Sequence, residues 1–165
     1  MTEITFHFNV PEKLAYTCRL LRKAYTRGTP VAVLGEQHVL MQLDQLLWTF
    51  SALDFVPHTL LVQGSAEATQ AAPIALLDSH TNAPHHHVLL NLLDTVPAGF
   101  EAFERLIEVV DEQPHERMAA RERWRHYADR GYTLLRHDAA ASAASLRKPD
   151  QGAAITPPPR HTSPS

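Results

Sequence analysis

The sequence predicts an α/β fold: an open, mostly parallel sheet with helices on both faces, followed by a disordered C-terminal tail. Three observations carry that expectation. Residues 4–34 read as strand, helix, strand, and a βαβ opening favours parallel pairing. Later strands are short runs of unbroken apolar residues, as in strands covered on both faces. From residue 139 the chain holds 7 Ala, 4 Ser, 5 Pro and no aromatic residue, too little apolar surface to offset the entropy of ordering.

In order along the chain, Ile4, Phe6, Phe8 and Val10 alternate with polar residues and share one face of a first strand, which Pro11 ends. A helix follows over about residues 12–27. Leu14, Cys18, Leu21 and Tyr25 recur on its inner side, and Arg19, Arg22, Lys23 and Arg27 fall largely outside. Gly28-Thr29-Pro30 turns the chain into the apolar strand Val31–Leu34. A second helix runs from about Gln37 to Phe50, burying Val39, Leu40, Leu43, Leu46, Leu47 and Phe50. Residues 63–72 read as a polar loop. Strands are expected at Ile74–Leu77 and Val88–Leu92, a short helix at Gly99–Glu104 and a final strand at Leu106–Val110. The last helix spans about His115–Arg130, with Gly131 as its stop. The domain is thus 1–138 and the tail 139–165, where Pro157-Pro158-Pro159 favours a local extended helix.

Charge is unevenly placed. The whole chain carries −3, but residues 1–116 hold 6 Lys/Arg against 14 Asp/Glu, and residues 117–136 hold 6 against 2. A body this acidic is a poor non-specific DNA binder, since duplex affinity rests on neutralising phosphates. The positive segment points instead to a small acidic target such as a peptide or a terminal carboxylate. With Arg117 set at 0°, Arg121 and Arg125 lie at about 40° and 80°, while Trp124, Ala120 and Tyr127 lie at about 340°, 300° and 280°. A basic stripe runs beside an aromatic one, which suits an anionic ligand with one bulky apolar group. The ordinary alternative is a helix whose aromatics enter the core while Arg117, Arg121, Arg123, Arg125 and Arg130 sit in water.

Catalytic signatures are absent. Gly35-Glu36-Gln37 after the second strand is no phosphate loop, and the six glycines do not cluster. No serine elbow, Cys–His pair or metalloprotease motif occurs. Four histidines fall at His80 and His85–His87, but neighbours in an extended segment point to alternate sides, so a metal site is not expected. The lone Cys18 reads as a small buried hydrophobe in a reduced, cytoplasmic setting. No stretch has the build of a signal peptide or a membrane span. Trp48 and Phe55 sit near the exit of the second helix, either as core or as surface anchors for a partner. No cofactor is expected. The residues favour an interaction module over an enzyme, with direct single-stranded nucleic-acid binding through the basic-aromatic helix as the alternative. An enzyme using the histidine cluster is a third reading.

Three segments, LDQLLW at 43–48, FVPH at 55–58 and ARERWRHYADRGYTLLRH at 120–137, keep their order and spacing in a known family. The chain over about residues 3–137 resembles the chi subunit of bacterial DNA polymerase III holoenzyme, and TFHF, GTPVAVL and VLLNL agree with this. The resemblance implies a Rossmann-like fold without nucleotide chemistry. It implies a non-catalytic accessory subunit of a DNA-directed DNA polymerase complex, which pairs with the psi subunit and through it reaches the clamp loader. It also implies binding of the acidic C-terminal tail of single-stranded DNA-binding protein, with DNA contacted only indirectly. On this sequence the tail-binding positions fall on Arg117, Arg121, Trp124 and Arg125, and the psi-contact positions on Trp48 and Phe55. Family members often carry Lys or Tyr where this chain has Arg117, Trp124 and Arg125, so charge and aromaticity are kept. The tail after residue 138 is not part of the shared pattern.

Overall fold

Seven strands pair into one sheet in a computed structural model that describes residues 1–49, 56–62 and 72–141. They are β1 (Glu3–Val10), β2 (Val31–Leu34), β3 (His58–Leu61), β4 (Ile74–Leu77), β5 (Val88–Asn91), β6 (Arg105–Asp111) and β7 (Leu134–Asp138), in the order β3-β4-β2-β5-β6-β1-β7. Every pairing is parallel. Three helices cover the sheet: α1 (Lys13–Thr26), α2 (Gln37–Thr49) and α3 (Pro114–Asp129). The predicted α/β class therefore holds.

Layering follows from the direction of the crossovers. The connections from β1 to β2 and from β2 to β3 run one way along the sheet, and α1 and α2 share a face. The connection from β6 to β7 runs the other way and places α3 on the opposite face. One handedness of crossover demands that division. The central strands β2, β4 and β5 are buried along their whole length, which is why their sequences are unbroken apolar runs. Val31 and Val33 enter the α1/α2 core with Cys18, Leu21 and Leu43, while Ala32 and Leu34 enter the α3 core with Phe6 and Tyr127.

Both edge strands, β3 and β7, lie outside the expected set, which assigns no element to 58–61 and ends at Leu106–Val110. β3 and β7 carry half-covered patterns with little alternation, since each has a neighbour on one side only. β1 holds a second departure. Its register on β6 slips between His7 and Val10, and Asn9 takes a left-handed φ of +59°. Asn adopts that conformation more readily than most residues. This bulge turns Val10 into the α1/α2 core, whereas Ile4, Phe6 and Phe8 face α3. Tyr25, expected inside, is 38% exposed at the end of α1.

At the carboxyl edge, the helices that follow β1 and β6 leave on opposite faces. In open α/β sheets such a crevice is where cofactors bind. Here Lys13 Nζ crosses it to both carboxylate oxygens of Glu116, at 2.9 and 3.1 Å. Among the described residues no helix is long and apolar enough to cross a membrane.

Candidate functional site

α3 is set in place by charge chemistry beneath it. Glu116, Ala120, Arg123 and Tyr127 recur on one side and are buried. Arg123 Nε donates to Glu108 Oε1 at 3.0 Å, Tyr127 Oη donates to Glu108 Oε2 at 2.6 Å, and Asn91 Nδ2 donates to both oxygens. Arg123 also donates to the Asp94 carbonyl at 2.8 Å. Burial pushes the Glu108 carboxyl above its ordinary range, while Arg123, Tyr127 and Asn91 pull it back. All of those partners are donors, so the arrangement serves the ionised carboxylate. Burial, then the charge of Glu108, raises the Tyr127 hydroxyl, which stays protonated as the donor this network needs. Arg123 thus belongs to the core rather than to the solvated stripe. The signal was present: at about 240° it falls beside Tyr127, far from Arg117.

With that side buried, Arg117, Arg121 and Arg125 face outward and border a cavity of about 680 Å³. Its floor is apolar, formed by the buried Phe6, Val110 and Ala120 with Phe8 and Trp124. Trp124 stands edge-on to Phe6 at 5.1 Å between centroids. Arg136, from β7, lies over the Phe8 ring at 4.9 Å and the Trp124 ring at 6.0 Å. Four arginines therefore surround the floor. One carboxylate, Asp111, also lines it, with Oδ1 accepting from the Gln113 N–H. Among the described residues Arg121 and Arg125 have no carboxylate partner.

The bulge in β1 contributes directly. Arg117 Nη2 donates to Asn9 Oδ1 at 3.1 Å, and Asn9 Nδ2 donates to Asp138 Oδ1 at 3.2 Å. The Asn9 amide and the Ala141 and Ala140 N–H groups hold the Asp138 carboxyl below its ordinary range. Asn9 thus braces Arg117 at the cavity mouth and ties β1 to β7. Of the predicted site residues, Arg117, Arg121, Trp124 and Arg125 are brought together at this cavity. Phe8, Asn9 and Arg136 join them and were not singled out from sequence. An Arg fork can hold a carboxylate through two parallel charge-assisted bonds. The floor can take an apolar side chain beside it.

Trp48 lies elsewhere, on α2, and is 59% exposed. Its ring stands edge-on to His58 at 5.4 Å. His58 is itself fixed by Asp44 Oδ1 at 2.8 Å from Nε2 and by the Val56 carbonyl at 2.8 Å from Nδ1. Met41, one heptad before Trp48, is 52% exposed on the same side of the helix. Phe55 lies outside the described residues. The histidines at 80 and 85–87 form no group of three or more ligands among the described residues. His80 instead packs against Gly99, where an added Cβ would come within 2.3 Å of its ring. Burial raises the Cys18 thiol to about 11, so it stays protonated in the core.

Comparison with known proteins adds an independent line. The family described as "DNA polymerase III chi subunit, HolC" matches residues 1–135. The DNA polymerase III subunit chi of Pseudomonas aeruginosa is 34% identical over 143 residues, spanning 83% of this chain and 96% of that protein. The Haemophilus influenzae subunit chi is 28% identical over 120 residues, spanning 71% and 81%. Among solved structures, the C-terminal domain of S. cerevisiae Dbp5, bound to Gle1 and IP6, superposes with a TM-score of 0.54 at 10% identity over 90% of this chain and 97% of that one. That likeness concerns the fold alone.

Proposed function

The chain belongs to the DNA polymerase III chi subunit family, and on that premise we propose that it is a non-catalytic adaptor of the replicative polymerase. It links the clamp loader, through the psi subunit, to the acidic C-terminal tail of single-stranded DNA-binding protein in the cytoplasm. The observation that carries this reading is the ring of Arg117, Arg121, Arg125 and Arg136 around an apolar floor. A peptide ending in an apolar residue offers both complements: a terminal carboxylate for a guanidinium and a side chain for the floor. Burying a Phe-sized group contributes about 1.5–3 kcal/mol, and each exposed ion pair about 0–1 kcal/mol. Binding is therefore weak and reversible, with the apolar group supplying much of the energy. Direct base stacking on α3 fits less well, because Arg136 already lies over the Trp124 ring.

Calorimetry with an acidic peptide ending in Phe tests the site. Arg121→Ala and Arg125→Ala should each weaken binding about two- to fivefold, with the thermal midpoint unchanged. Equal affinity in wild type and both variants sinks the assignment. Trp48 and Phe55 are assigned to the psi contact, supported by the exposure of Trp48 beside Met41. Trp48→Ala should lose co-purification with psi while keeping peptide affinity. Retained co-purification would remove Trp48 from that interface.

A further inference from the structure

A second cationic surface lies across the sheet from the peptide cavity. Of the six Lys/Arg in residues 1–116, five fall between Lys13 and Arg27, and no Asp or Glu occurs from residue 13 to residue 35. Lys13 is engaged with Glu116. Arg19, Lys23 and Arg27 are exposed, and among the described residues none has a carboxylate partner. They follow one another at four-residue steps, within about 80° of one another around the helix axis and roughly 6 Å apart along it. Among the described residues this is a straight row of charge without carboxylate partners, apart from the arginines of α3.

Rings border the row. Arg19 lies over the Tyr16 ring at 5.8 Å, Tyr16 Oη meets His7 Nδ1 at 2.6 Å, and the His7 and His137 rings are 4.7 Å apart. No exposed large apolar side chain lies on the row. Leu20 packs against the core, and Tyr25 is on the far side of the helix. Protein interfaces centre on desolvated apolar anchors. Charge without such an anchor, flanked by flat rings, fits a polyanion whose affinity comes from phosphates. A flexible single strand can follow a straight row of cations. Three contacts would not hold a duplex against the acidic body.

We propose that the row formed by Arg19 and Lys23 on α1 and Arg27 at its C-cap is a second binding surface, one that takes the phosphate backbone of single-stranded nucleic acid. It is separate from the α3 cavity and does not depend on what that cavity binds. It lets the protein touch the strand itself as well as a protein coating it.

The test is fluorescence anisotropy of a labelled oligothymidylate against the full chain. Neutralising three phosphates gives a slope of about −2 in log affinity against log salt, so affinity falls about twentyfold between about 50 and 200 mM monovalent salt. Replacing Arg19, Lys23 and Arg27 together by Gln should flatten that slope, while the acidic peptide still binds the cavity with wild-type affinity. Arg19→Lys with Arg27→Lys should keep the slope, which separates charge from helix stability. Any one of these results overturns the proposal: no binding by wild type at about 50 mM salt; an unchanged slope in the Gln variant; tighter binding of a duplex of equal length; or polyglutamate binding with the same response to the Gln variant. A slope lost only with Arg121→Ala and Arg125→Ala also overturns it, since the cavity would then hold the strand. Failure of the peptide to bind, with oligothymidylate binding intact, leaves this surface standing and removes the cavity reading alone.

Discussion

His7 is held neutral by its surroundings. Burial is the largest influence, and the nearby His137 and Lys23 add to it, so its pKa is pushed down to about 4. The unfolded chain takes up the proton near the ordinary value of about 6.5. Between those two values the unfolded state binds more protons than the folded one, so stability rises with pH across the window. It is fully present above about 6.5 and is lost as pH falls toward about 4. Allowing for partial solvent screening, the effect is about 2 kcal/mol. Urea unfolding at several pH values should show a steeper loss for wild type than for His7→Gln. Matching slopes would mean that His7 titrates as if exposed. Neither this shift nor the site's full membership is legible from sequence. Arg117, Arg121, Trp124 and Arg125 lie on one helix, where the angle between residues is fixed. Arg136, Phe8 and Asn9 reach the cavity only through the parallel pairing of β1 with β7, across about 130 residues of chain. No local pattern marks such a meeting.

α3 shows the same contrast at the level of an element. Its extent was readable from good helix formers and from Gly131 beyond its end, to within a residue at each terminus. The burial of Arg123 was marked by its angle beside Tyr127, but a charged residue in an arginine-rich helix reads by type as solvated. Glu108, in the middle of a strand, supplied the missing half. Removing one member of a buried pair leaves an uncompensated charge and costs about 3–5 kcal/mol. Arg123→Met should accordingly lower the urea midpoint strongly, and the double change Arg123→Met with Glu108→Gln should recover part of the loss. A double variant no more stable than Arg123→Met would show that packing, not charge, sets the cost. Interior strands were legible because two covered faces select continuous apolar residues. The edge strands β3 and β7 were not, because one free side relaxes that selection.

For the whole molecule, two cationic surfaces sit on a chain of net charge −3. The acidic remainder weakens attraction for any polyanion at long range, and the two patches restore it locally. Screening at a Debye length of about 8 Å in physiological salt confines each patch to its own neighbourhood. Acidic-peptide affinity should fall as salt rises, levelling at the contribution of the apolar group. Titration by calorimetry at increasing salt checks this, and an affinity indifferent to salt would take the arginines out of the binding energy. The α/β architecture and the positions of the interior strands along the chain were readable from pattern. The bulge at Asn9 was not, since it depends on register against β6.

The β1–β7 pairing also bears on how the molecule is made. β1 lacks its outer neighbour until β7 is synthesised, and long-range parallel pairings close slowly. Phe8 and Asn9 come from one end of this history and Arg136 from the other. A nascent or truncated chain that stops before residue 134 can present the arginines of α3 but not the walled cavity. Ligand capture at this site therefore carries an implicit quality check: the grip is complete only when the polypeptide has been made through β7.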